Sequence, residues 1–189
     1  NGSLNFRKEK LGLYANTSYA HGVNAIRERL NTPYAERSIH MTDMHTRTLQ
    51  PFSYTIGADY EIHQNGILGM ELMGNNLDRN DKENIINRVI PYATDQVDSL
   101  MNTIGFNKQL NRNNALNLNY EWHIDTFGRK LIFNANRLWF SSRHSKDFET
   151  QNYLGEFGAQ TFVHTRNKIG SDLDINITAF QLDMELPYA

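Results

Sequence analysis

Residues 115–125 read ALNLNYEWHID, and this stretch decides the fold. Leu116, Leu118, Tyr120, Trp122 and Ile124 fall on alternate positions, with Asn117, Asn119, Glu121 and His123 between them. Side chains of a β-strand alternate between its two faces, so a period of two with one apolar set predicts a strand that has one oily and one wet face. Residues 51–63, PFSYTIGADYEIH, repeat the pattern, with Phe52, Tyr54, Ile56, Ala58, Tyr60 and Ile62 opposite Ser53, Thr55, Gly57, Asp59 and Glu61. Both runs exceed the ~5–6 residues usual for strands in globular proteins.

Turn chemistry joins these strands in pairs. Asn65-Gly66 is a favoured hairpin pair because both residues tolerate positive φ, and it predicts a tight connection from the strand ending near Ile62 to ILGMELMG. Asp125 and Gly128 in HIDTFGRK predict a slightly longer hairpin, and RKEK near Lys8 joins SLNF to LGLYANTSYA. The opposite connections read as three long polar loops, from about Ala20 to Thr48, Gly74 to Arg112 and Phe140 to Lys168, with a short helix possible between Asp95 and Ile104. The expected architecture is therefore all-β: an antiparallel meander of about seven long strands, with short turns at one end and long loops at the other.

Composition narrows the function. The chain has 189 residues, enough for one β domain. Nineteen basic residues against 21 acidic ones give a net charge of −2, so nothing favours nucleic acid as a partner through charge. The absence of cysteine excludes disulfides, thiolate metal sites and cysteine nucleophiles. No apolar run approaches the ~20 residues of a membrane helix, but membrane β-strands need only about 9–11 alternating residues.

Four stretches taken in order, NGSLNFRKEKLGLYANTSYAHG, YTIGADYEIHQNGILGMELMG, LNLNYEWHIDTFGRKLIFNANRLWF and FQLDMELPY, resemble the outer-membrane β-barrel family of TonB-dependent receptor-like proteins of Bacteroidetes. The resemblance covers nearly all of the chain outside the expected loops. It implies that residues 1–189 form a single barrel segment, the early strands of a larger outer-membrane barrel in a Gram-negative cell, with the plug domain absent. The LDMELPY stretch then reads as a descent to a periplasmic turn, and AFQLDMELPYA as the point where the piece was cut. An odd count of about seven strands would not close alone, because single-chain bacterial barrels have even numbers. The resemblance further implies outer-membrane lipid around the intact protein, coupling to the TonB system through the missing plug, uptake of an unknown nutrient ligand held by residues near 22–48, 77–111 and 141–168, and no enzymatic role. An isolated piece with open edges and bare apolar faces is expected to self-associate.

Candidate sites are few. His40, Asp43 and His45 in HMTDMH, with Met41 and Met44, offer imidazole, carboxylate and thioether donors within six positions of an expected loop, although their spacing matches no established metal motif. No cofactor is expected. Tyr14, Tyr19, Trp122, Phe133, Trp139 and Phe140 fit either aromatic girdles or a packed β core. Asp172, Asp174 and Asn176 lack the glycine and closing glutamate of a calcium loop and read as one polar strand face, turned to the lumen of a barrel. Asp78, Asp81 and Glu83 read as a solvated loop. Neither a glycosidase carboxylate pair nor a nucleophile elbow is evident. The alternative is a soluble β-rich carbohydrate- or protein-binding module, whose apolar strand faces would form an inward core.

Overall fold

The computed structural model describes residues 1–158 and 160–186, and for 160–163 the backbone alone. Eight antiparallel strands form one sheet: β1 (Gly2–Lys8), β2 (Leu11–Tyr19), β3 (Gly22–Pro33), β4 (Arg37–His63), β5 (Gly66–Pro91), β6 (Ser99–His123), β7 (Lys130–Leu154) and β8 (Gln160–Glu185). Neighbours in the sheet run β1-β2-β4-β5-β6-β7-β8, and β3 also pairs with β4. Tyr19 faces Phe52 and Gly22 faces Leu49, so β2 and β3 continue one register along the same edge of β4. The eight segments thus occupy seven strand positions. β1 and β8 do not pair, and the sheet is open.

All three short hairpins form where the sequence places them. Lys8 pairs with Leu11 around Glu9, whose φ of 51° lies in the left-handed region. His63 pairs with Gly66, but neither Asn65 nor Gly66 uses positive φ; the turn is closed beside a β-bulge between Glu61 and His63. In the third, the Asp125 carboxylate accepts the backbone N–H groups of Phe127 and Arg129 at 2.9 and 3.2 Å, and Gly128 supplies a φ of 90°. That is the local hydrogen bonding which makes Asp a turn residue.

The long loops are not loops. Residues 22–48, 74–112 and 140–154 are the continuations of β3 to β7, and at that end the chain turns within residues 34–36, 92–98 and just after Leu154. The stretch from Asp95 is a turn and then β6, with no helix among the described residues. Beyond the apolar band, polar residues are mixed with apolar ones on both faces, so the two-residue hydropathy period fades. The ladder needs no hydropathy, because each hairpin fixes a register that neighbouring backbones go on satisfying. At ~3.4 Å per residue the 25 residues of β6 span about 85 Å.

Pairing puts alternate residues of all strands on two faces. One carries a continuous apolar band near the short turns: Leu4 and Phe6 on β1, Leu11 and Leu13 on β2, Ile56 to Ile62 on β4, Leu68 to Leu72 on β5, Leu116 to Trp122 on β6, Leu131 to Ala135 on β7, and Phe180 to Met184 on β8, counting alternate positions. On β4 it runs from Tyr54 to Ile62, about nine residues or ~30 Å along the strand. Across the sheet its centre drifts toward the short turns, as a level band must on tilted strands. Among the described residues Ile86 and Leu100 are the buried hydrophobic ones, whereas the band is open: Leu4 is 63 % exposed, Met70 49 % and Leu182 65 %. A sheet with one apolar face must cover it with another layer, and the described residues supply none.

Candidate functional site

The face opposite the band is where polar side chains meet. Level with the band it holds Asp59, Glu71, Asn117, Asn119, Asn134 and Asn136 around Gly57 and Gly69. The Tyr14 hydroxyl donates to Glu71 at 2.9 Å, and the Asn117 carboxamide donates to the other oxygen of Glu71 at 3.4 Å. Tyr14 reaches Glu71 by lying across Gly57: a Cβ added at Gly57 would come within 2.1 Å of the Tyr14 ring. Gly57→Ala therefore swings the ring away and breaks the tyrosine–carboxylate bond, a loss of about 1–2 kcal/mol. A double-mutant cycle with Tyr14→Phe measures it. The summed stability losses of the two single changes should exceed the loss in the double variant by a coupling of this size, and strict additivity would disprove the contact.

Farther from the short turns, Asp81 is 3 % exposed although charged. Arg47 of β4 donates to it at 3.3 Å, and the Arg79 Nε at 3.1 and 3.0 Å to its two oxygens. Burial works against the charge, but the Arg79 and Arg47 guanidiniums win and hold the carboxyl below the usual carboxylate range. Beside this clamp, Lys146 pairs with Glu83 at 2.9 Å, His144 meets the Asn107 carboxamide oxygen at 2.6 Å, and Ser142 donates to the Asn111 carboxamide oxygen at 2.9 Å. At the sheet edge the same face turns apolar, with Leu138 and Phe140 of β7 opposite Ile177 and Ile175 of β8, and Leu173 beyond.

Several sequence-based expectations are redistributed by the pairing. HMTDMH lies in β4, not in a loop, and its donors split between faces. Asp43 and His45 share the polar face, their Oδ2 and Nδ1 3.5 Å apart, whereas His40 faces the other way and meets Ser38 Oγ at 3.1 Å. No cluster of three or more His, Cys, Asp or Glu fit for a metal occurs among the described residues. A strand separates neighbouring residues that a loop could have gathered.

Asp78 faces the band side, and Asp81 and Glu83 the polar side, all within β5 rather than a loop. Asp172, Asp174 and Asn176 do share one face, but it is the band face: opposite Arg143, Ser141 and Trp139, they sit beyond the band's margin and not on the polar side. Tyr19, Trp122 and Trp139 border the band, as girdle residues would, Phe133 lies within it, and Tyr14 and Phe140 lie on the polar face. The Arg137 guanidinium lies 5.2 Å from the Trp139 ring centroid at the band's far margin. The clamp around Asp81 and the Tyr14–Glu71 contact escape sequence reading, because each joins residues more than 30 positions or a whole hairpin apart. Extending the two-residue period through the polar stretches would have put Arg47 and Asp81 on facing strands.

No protein-family model matches the chain, and no curated protein matches it.

Proposed function

We propose that this chain forms part of the wall of an outer-membrane β-barrel of the TonB-dependent receptor-like type, in a protein that binds and takes up a nutrient. The observation that carries the reading is the apolar band: continuous over seven strand positions, about nine residues long on β4 and shorter on its neighbours, edged by aromatic residues and backed by a polar face. Tilted membrane strands cross the hydrocarbon core with about 9–11 alternating residues, so the stretch on β4 has the length, and the sheet the sidedness, of a barrel strand set. Lipid covers the band, and the polar face lines the interior.

The remaining lengths of β4 to β8 stand outside the membrane, so nutrient contact falls on extended strands rather than mobile loops. An open sheet with free β1 and β8 edges is completed by further strands, and a plug lying inside covers the apolar patch of Leu138, Phe140, Ile175 and Ile177. TonB coupling belongs to that plug. The competing binding module requires its strand faces to pack inward on a core, and the near absence of buried hydrophobic side chains among the described residues favours the barrel.

An antibody raised to this chain and used on fractionated cells tests the proposal. A band well above 21.9 kDa in the outer-membrane fraction is expected. A soluble band near 21.9 kDa would leave the binding module as the account.

A further inference from the structure

The polar face carries a track of carboxamides along β6. Of seven successive residues of this strand on that face, Asn107, Gln109, Asn111, Asn113, Asn117 and Asn119 are carboxamides, and only Ala115 is not. They stand two residues apart, so their spacing is about 6.8 Å. Each carboxamide offers both a donor and an acceptor. Asn113 and Asn119 are exposed and make no hydrogen bond among the described residues, and Asn107 and Asn111 each have only the oxygen engaged.

Charge is arranged along the track and not within it. At one end Arg79, which pairs directly with Gln109, and Arg47 set two guanidiniums against the single Asp81 carboxylate. At the other, Asp59 and Glu61 share a pocket with Arg7 and Lys10, which balance them. Glu71, paired with Asn117, is held by the Tyr14 hydroxyl and the Asn117 carboxamide and forms no ion pair among the described residues, so this end carries one net negative charge. The Gln109 and Asn117 rows are eight residues apart, about 27 Å.

From this geometry we infer that the track binds an extended oligopeptide by its main chain, its carboxylate end toward Arg47 and Arg79 and its amino end toward Glu71. An extended peptide repeats its edge N–H and C=O groups every two residues, at the same 6.8 Å, so one carboxamide meets each repeat. Opposite net charges ~27 Å apart match the two ends of a peptide of about eight residues. A neutral saccharide gains nothing from those charges and does not share the repeat. Recognition through the main chain makes binding tolerant of peptide sequence. The inference rests on the polar face being the solvated interior proposed above.

The test uses the full chain folded in lipid nanodiscs and an alternating Ala-Ser octapeptide carrying a fluorophore on one side chain. Anisotropy should show binding, and capping both peptide ends should weaken it. Asn111→Leu with Asn113→Leu should weaken it roughly five- to a hundredfold. If that double change disturbs the strand signal in circular dichroism, Asn111→Ser with Asn113→Ser replaces it, with the same direction expected. Asn176→Ser, on the opposite face, should leave binding unchanged. Equal binding of a neutral linear glucan of matching length, indifference to end-capping or to the asparagine changes, or no peptide binding by a folded chain would each overturn the inference. Lipid insertion is scored on the same sample, so a chain that inserts but ignores the peptide refutes this inference while leaving the barrel proposal standing.

Discussion

Leu118→Arg is expected to destabilise the lipid-inserted chain by about 2–4 kcal/mol, the cost of placing Arg on the lipid face near the bilayer midplane. Leu118 lies in the middle of the band, flanked across the sheet by Met70 and Ala135, and is 36 % exposed to anything that covers the face. Its neighbour Asn117 points to the polar side, where Asn117→Arg should cost far less and forms a natural control. Unfolding by urea from lipid vesicles supplies both numbers. If the band faced water, Leu118→Arg would move an exposed surface residue and change stability by no more than about 0.5 kcal/mol.

Asp81→Asn carries the next largest effect. The change leaves Arg47 and Arg79 side by side without their carboxylate. Removing one member of a buried pair costs about 3–5 kcal/mol, but both guanidiniums are about a third exposed, which reduces the expected loss to roughly 1–3 kcal/mol. The pH dependence follows from the lowered carboxyl pKa. A carboxyl held lower in the folded chain than its ordinary value near 3.9 contributes fully above about pH 4, and the contribution is lost as pH falls through the folded pKa. The difference between wild type and Asp81→Asn should therefore be constant from pH 7 to about 5 and shrink on further acidification. A difference that grew in acid would contradict the clamp.

How much of this was legible in sequence depends on where alternation and turn chemistry survive. The strands through Ala58 and Leu118, and the hairpins at Glu9, Asn65 and Asp125, could be placed because apolar residues mark one face and turn residues mark the ends. Farther along β4 to β8, Asn, Asp, Lys and Thr occupy both faces, hydropathy loses its period, and a paired strand looks like a loop. Propensity alone misleads there, because β structure is fixed by cross-strand partners that lie tens of residues away. The same gap hid the sites. His40 and His45 are five apart, which in a strand means opposite faces, while Arg47 and Asp81 are brought together by the register that the Asn65 hairpin sets. The Asn117 and Asn119 end of the carboxamide track was visible as the wet half of an alternating strand, but its continuation to Asn107 lay in the supposed loop.

The central claim is that the apolar band faces lipid, and the chain's two tryptophans measure it. Trp122 and Trp139 both lie on the band face, toward its short-turn edge and at its far margin respectively. In single-tryptophan variants, Trp122→Phe and Trp139→Phe, inserted into vesicles of lipids brominated at defined depths, each remaining indole should be quenched most strongly by bromines near the headgroups and weakly by those at the bilayer centre. Absence of quenching at every depth in a folded chain would show that the band does not meet lipid.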